Sequence, residues 1–469
     1  MKKYLKKLLV LLLIFIPLLT RAQSTGASQS EVSIPRMDID IEDGKIVADK
    51  ENYLNATITL TGNGYCPDFK ATAVKIRGRG NSSWTNPVIQ YNDSGKQVFT
   101  YNPKNPYRLK FDKKQSLAGL KKGKNWVLLA NSQRHSMLSN AFGMALARIV
   151  GTLSANNIVP VDLYINGEYR GNYNLTEKVG ISANSIDVDD ESTAVLLELD
   201  TYFDEEYKFM DTNYPSLPVM VKDPDLGDKD IKISLPQIRD SIASLTADIK
   251  AHRDISSKMD TTMLARYLLV NMLICNQELL HPKSTYLFRE HLDDNKSKWQ
   301  FGPVWDLDWA YGYEEVADYG TVDSNMDFYQ PVEYKMENVQ FWKDLTSIPS
   351  VQKAYRNEWQ KFMNGGLDKL MTYCKEYYDL VKPSLQRDCE KWGQTFDYDT
   401  VYNNMTSWLN ARANTMYSNI STGISSVKVN PSSSSVTVYN LSGQKVLQDK
   451  SSLPSGIYIV NGEKVVFGR

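Results

Sequence analysis

Thr261–Trp309 reads TTMLARYLLVNMLICNQELLHPKSTYLFREHLDDNKSKWQFGPVWDLDW. Its first part, Thr261–Cys275, carries apolar residues at three- and four-residue spacing and predicts a helix. A polar loop, Asn276–Ser284, follows. Thr285–Glu290 and Lys298–Trp305 then flank the largely polar turn His291–Lys296 and predict a β-hairpin. Asp306 and Asp308 end its second strand. Residues i and i+2 of a strand share a face, so the spacing brings two carboxylates together where they could hold a divalent cation on oxygen ligands, Mg²⁺ or Mn²⁺. A solvated strand edge or a helix cap is the other reading of the same pair.

Upstream of this stretch the pattern is strand-like, in Ala56–Gly62, Ala71–Gly78, Pro106–Phe111, Trp126–Ala130, Val161–Ile165, Tyr173–Glu177 and Ala194–Asp200, with one helical segment at Met137–Ile149. It predicts a sheet with a helix packed on it. Helical spacing dominates elsewhere, in Gln237–His252, Val351–Phe362, Leu367–Trp392 and Tyr402–Ile420. Strands first and helices later give an α+β protein in two lobes. From about Ile424 the composition turns to PSSSS and the short strands VTVYN, QKVL, GIYIV and KVVF, a separate small β module over 423–469.

At the other end, Met1–Ala22 has basic residues, an apolar run over Leu8–Leu19 and small residues at cleavage spacing, which predicts a secretion signal. Residues 23–35 form a Ser-rich spacer, and the main domain is expected over 36–422. The apolar run is short for a bilayer span and no later stretch reaches about 20 apolar residues, so no transmembrane segment is expected. The net charge is −1, and removing residues 1–22, with five cations and no acid, takes it to −6. That balance argues against a general nucleic-acid or anionic-lipid binder. Four cysteines are too few for a disulfide framework, although Cys374 and Cys389 could pair between neighbouring helices. The acid runs Asp187, Asp189, Asp190 and Asp223, Asp225, Asp228 lack the spacing of a calcium hand and read as solvated turns.

The order helix, polar loop, hairpin, acid pair is the succession that protein kinases use for the catalytic loop and the metal-holding Asp. In that reading Arg77–Trp84 (RGRGNSSW) is a loop near phosphates, with Gly78 and Gly80 permitting close approach and Arg77 and Arg79 adding charge. A tight strand-to-loop turn explains it equally. Lys110 in PYRLKF is placed like a phosphate-reaching lysine, with Glu177 as candidate partner; an exposed strand lysine is the alternative.

IRGRGNSSW, KNPYRLKFDKK, WVLLAN, VDLYINGEYRGNYNLTEKV, LLELD, NQELLHPKSTYLFRE and KWQFGPVWDLDWAYG, spanning roughly 70–315, together resemble the CotH kinase-like family, atypical secreted relatives of the protein kinases. The resemblance implies an atypical protein-kinase-like fold that binds ATP with Mg²⁺ or Mn²⁺ and transfers phosphate to protein Ser or Thr. Carried onto this chain, it implies Asp306 as metal ligand and Asp308 as supporting acid. Arg77, Arg79 and Lys110 would be nucleotide-lobe cations, and Glu198 and Asp200 of LLELD would line the cleft.

The chain departs from the family where chemistry is concentrated. Its loop reads Asn276-Gln277-Glu278 where the family commonly has Asp as acid-base, so Glu278 is the candidate base with one extra methylene. A displacement of about 1 Å can cost on the order of 100-fold in rate. Lys283 stands where a kinase loop offers Asn to a second metal. Arg134-His135-Ser136-Met137-Leu138-Ser139-Asn140 lacks the acid and arginine of the family's corresponding segment. A nucleotide-binding pseudokinase and a surface binding or adhesive module therefore stand beside the active kinase. Val436–Val446 with Leu453–Phe467 resembles the sorting domain of type IX secretion cargo from Bacteroidetes, which implies passage through the periplasm to the outer surface and the type IX machinery as partner.

Overall fold

The computed structural model describes residues 32–92, 94–132, 137–280, 282–313, 319–329 and 339–422, and four short strands between 438 and 467. The leader, most of the spacer, Arg134, His135, Ser136 and His281 lie outside the described residues.

Seven strands form a closed barrel in the order β1-β2-β3-β6-β7-β9-β8. They are β1 (Arg36–Ile41), β2 (Leu54–Thr61), β3 (Phe69–Gly78), β6 (Tyr107–Gln115), β7 (Gly123–Leu129), β8 (Val159–Ile165) and β9 (Glu168–Glu177). β4 (Val88–Tyr91) and β5 (Gln97–Tyr101) make a hairpin between β3 and β6. Closure comes from β1, which pairs antiparallel with β2 and parallel with β8, Arg36 opposite Asp162. RMDIDI alternates with period two, so Met37, Ile39 and Ile41 turn inward to meet Ile58, Ile76, Leu109 and Trp126 in a sealed apolar interior. The chain is already ordered ahead of Arg36: Ile34 is buried and the Pro35 carbonyl accepts from the Asp162 amide at 2.9 Å.

The apolar run of β7 is buried on both faces. Trp126 and Leu128 fill the barrel, whereas Val127 and Leu129 join the second core outside it. The expectation of a single N-terminal sheet is corrected here. Ala194–Asp200 supplies β10 (Val195–Leu199), the centre of a separate five-stranded sheet ordered β11 (Lys208–Met210), β12 (Pro218–Asp223), β10, β13 (Thr285–Arg289), β14 (Gln300–Phe301). The hairpin β13–β14 adds the acid-pair stretch to this sheet's edge.

The helices are α1 (Ser139–Ile149), α2 (Leu235–Lys250), α3 (Thr261–Leu273), α4 (Val339–Ser347), α5 (Pro349–Lys361), α6 (Leu367–Trp392) and α7 (Tyr398–Thr422). α3 is apolar almost all round and buried from Tyr267 to Leu273; Asp260 caps it by accepting from the Thr262 and Met263 amides. α6 docks on β9. Asp388 accepts from the Asn172 amide at 2.8 Å and pairs with buried Lys104 at 2.7 Å, while Ser384 and Tyr377 accept from the side-chain amides of Asn172 and Asn174. Cys374 and Cys389 are both free. Both lie on α6, 15 residues apart along the sequence, about 22 Å at 1.5 Å per residue, so the expected bridge has no geometric basis.

The last strands, β15 (Val438–Asn440), β16 (Lys445–Val446), β17 (Gly456–Val460) and β18 (Glu463–Phe467), form an antiparallel sheet ordered β16-β15-β17-β18. No helix among the described residues is long and apolar enough to cross a membrane.

Candidate functional site

A polar cleft of about 480 Å³ lies where the outer face of the barrel meets the face of the five-stranded sheet and the loops 278–286 and 305–309. Strand register decides which side chains reach it. Arg77 sits opposite Arg108, Arg108 opposite Val127, and Val127 opposite Thr176, one row on the outer face. The adjacent row, Ile76, Leu109, Trp126 and Glu177, faces inward. Glu177 is therefore not a cleft residue. It is buried, its Oε2 accepts from Asn184 at 2.7 Å, and burial raises its pKa. Lys110 shares the outer face but lies beyond the cleft, exposed and opposite Asn125. The sequence pairing of Lys110 with Glu177 is corrected on both members, since period two sends them to opposite faces. Arg108 and Lys178, one residue away in parity from Glu177, line the cleft in their place.

The second sheet contributes another row, with Glu198 opposite Met220 on one side and Tyr286 on the other. Lys222 bonds Glu198 at 2.9 Å and also Glu205. Burial opposes its charge, but the two carboxylates outweigh it and raise its pKa. Asp200 accepts from the Tyr202 and Ser284 amides at 2.7 and 3.1 Å; burial nevertheless pushes it up to about 6.

Asp306 and Asp308 do not end a strand. β14 stops at Phe301, and Asp306 takes a left-handed φ of +57°. The i, i+2 argument fails there, and the two acids have different partners. Asp306 accepts from the Ser284 hydroxyl at 3.1 Å. Asp308 accepts from the Asn140 amide at 2.7 Å and the Ser139 hydroxyl at 3.1 Å, both from the first turn of α1. Asn140 also accepts from the Leu307 amide and donates to Asn131, which donates to Asn174. A chain of buried amides thus runs from the acid loop across β9 to Tyr377 of α6.

Glu278 opens the 3₁₀ turn Gln277–Leu280 after α3. That turn is tied to the acid loop by the Gln277 amide, which donates to the Trp309 carbonyl at 3.0 Å. Its Oε2 is buried without a hydrogen-bond partner among the described residues. Burial and then the charge of Asp306 push its pKa up to about 8, with Lys283 opposing. Lys283 lines the same cleft, its ammonium 4.8 Å from the Tyr202 ring centre.

The loop Arg79–Ser83 forms the cleft's rim. Gly80 has φ +91°, and a Cβ there would sit 2.1 Å from the Ser83 hydroxyl; a Cβ at Gly78 would strike the Trp84 ring at 2.3 Å. Both glycines are explained by this tight turn, and the same turn presents Arg79. Burial lowers the Arg79 pKa, against the pull of Asp306.

The cleft thus brings together Arg77, Arg79, Glu198, Asp200, Glu278, Asp306 and Asp308 of the sequence-derived residues, and leaves out Lys110 and Glu177. Sequence reading missed Arg108, Lys178, Lys222, Asn131 and Asn140. The first two were findable by counting parity along β6 and β9; Asn131 and Asn140 carried no local signal beyond lying in the quoted segments.

A barrel and a mixed helical part thus enclose a cleft with a cationic wall, Arg77, Arg79, Arg108 and Lys178, and an acidic floor, Asp200, Glu278, Asp306 and Asp308. Residues 76–416 match the model of the CotH kinase protein family. The match covers most of the chain, which belongs to that family. Comparison with curated proteins finds no match.

Proposed function

We propose that the protein is a CotH-like atypical kinase that binds ATP with Mg²⁺ or Mn²⁺ in this cleft and transfers the γ-phosphate to Ser or Thr of a protein. It is led out of the cell by residues 1–22 and carried to the surface by the type IX machinery through the β module at 423–469. The observation that carries the reading is the meeting of Glu278, Asp306 and Asp200 opposite Arg79 in one cleft.

Among the described residues no three His, Cys, Asp or Glu side chains form a complete metal cage. That fits Mg²⁺, which keeps waters and takes one or two carboxylates plus phosphate oxygens. Asp306 would hold the ion, which when bound supplies neutralising charge on the phosphates, with Asp308 steadied behind it by Asn140. Val127, Leu129, Val179 and Met220 give the cleft an apolar patch suited to a base. Glu278 is placed to accept the proton of an incoming hydroxyl, and added positive charge near Asp306 brings its pKa down towards a working range.

A nucleotide-binding protein without transfer is the second reading, favoured by the same Glu278: at about 8 its carboxyl is protonated at neutral pH and cannot act as base. The test is the melting temperature of the full chain with ATP and Mg²⁺ or Mn²⁺, followed by phosphate transfer to a mixed protein substrate. A ligand at 100 times its dissociation constant adds about 2.7 kcal/mol. We expect a metal-dependent rise that Asp306→Ala removes. A rise without transfer selects the second reading, and no rise with either metal refutes both.

A further inference from the structure

We infer that the barrel wall of the cleft is a polyanion site that works without a metal ion, in which Arg77, Arg79, Arg108 and Lys178 hold a polyphosphate. The inference shares its cleft with the proposed function but does not depend on phosphate transfer.

The wall is built by the fold. Arg77 and Arg108 are cross-strand neighbours on β3 and β6. Arg79 and Lys178 flank their row, Arg79 bonding the Pro106 carbonyl on one side and Lys178 the Asn125 carbonyl on the other through their backbone amides. All four line the cleft. None makes a direct ion pair with a carboxylate among the described residues; the acids whose charge reaches them without contact are Asp306 and Asp308 for Arg79, Asp49 for Arg77, and Asp223 and Glu205 for Lys178. The Nε atoms of Arg77 and Arg108 are buried and have no hydrogen-bond partner among the described residues.

Four like charges brought together and partly withdrawn from water repel one another, and a buried N–H without an acceptor is costly. Burial, Arg108 and Lys222 hold Lys178 down to about 8. A ligand with several anionic oxygens relieves each of these at once. Guanidinium groups match phosphate oxygens in pairs, and three of them beside one ammonium suit linked phosphates better than a single one. The ligand beyond the proposed nucleotide is therefore inorganic polyphosphate.

The test is isothermal titration of the full chain with tripolyphosphate, orthophosphate and ATP, all in excess chelator. We expect tripolyphosphate to bind at least about tenfold tighter than orthophosphate. Arg108→Gln and Lys178→Met should each weaken it about tenfold or more, while Lys110→Met, outside the cleft, changes nothing. Binding near pH 8 should take up more protons in the parent protein than in Lys178→Met, with Glu278 of the same cleft contributing to both, a difference that a folding defect in Arg108→Gln cannot imitate. ATP binding in chelator clearly tighter than tripolyphosphate returns the wall to the nucleotide of the proposed function and overturns the inference, and equal binding assigns it to free polyphosphate. Metal-dependent ATP binding with no tripolyphosphate binding in chelator overturns the inference and leaves the kinase reading intact. Tripolyphosphate binding with no response to ATP and metal does the reverse. Equal affinity for orthophosphate, or unchanged affinity in both cleft variants, also overturns it.

Discussion

Glu278→Gln tests whether the floor of the cleft is electrostatically strained. The Glu278 carboxyl ordinarily titrates near 4.5 and in the cleft near 8, chiefly through burial and then through Asp306. The folded protein therefore keeps a proton that the unfolded chain releases between those values. Folding loses stability as pH rises across that window, and the loss is complete above about 8. A gap of about 3.5 on the pH scale, at about 1.36 kcal/mol for each unit, sets a ceiling of about 5 kcal/mol. The side chain is partly exposed and solvent screens its charge, so an effect of about 1–3 kcal/mol is expected. Glutamine keeps the shape and removes the charge. In metal-free and nucleotide-free buffer, followed by circular dichroism on heating, Glu278→Gln should unfold later than the parent at about pH 8. The advantage should shrink towards zero near pH 5. An advantage that is absent at pH 8, or that is the same at both values, would refute the reasoning.

Asn140→Leu removes the donor to Asp308 and the acceptor for the Leu307 amide. It should cost about 2–4 kcal/mol in chemical denaturation and also blunt the metal-dependent response to ATP; a stable variant with a full response would separate Asn140 from the site. Lys104→Met leaves Asp388 buried without its 2.7 Å partner. It should destabilise by about 3–5 kcal/mol, with much of the loss recovered when Asp388→Leu is added, and equal losses in the single and double variants would argue against an uncompensated charge.

Much of the helical part was legible because its signal is local. Leu367–Trp392 and Thr261–Leu273 have apolar residues at helical spacing, with an Asp cap on the second, and both form as expected. Among the α-helices of the described residues, α4, short and of mixed composition, escaped. The strands were mostly legible as strands but not as partners. AVLLELD and WVLLA share the apolar run VLL, yet one centres the second sheet and the other is an inner strand of the barrel, a difference fixed by long-range register. Site residues failed at the same level. Glu177 and Lys178 are adjacent, and parity alone sends the acid into the barrel and the lysine to the cleft. WDLDW drew attention for its spacing, but the left-handed backbone at Asp306 separates the two acids. Their real partners, Ser284 and Asn140, come from segments far apart in sequence.

The closing of the barrel by its first strand also fixes where the domain can be cut. The family match begins at residue 76, inside β3. A fragment starting there would lack β1, β2 and most of β3. It would expose β8 as an unpaired edge and leave Leu109, Phe111 and Trp126 without the side chains that cover them. The segment that carries the family's signature is thus shorter than the unit that can fold. Because β1 pairs with β8, more than a hundred residues later in the chain, sealing the barrel rests on a non-local contact. The wall that presents Arg77 and Arg108 belongs to this barrel, so fragments meant to report on the cleft should begin ahead of Ile34.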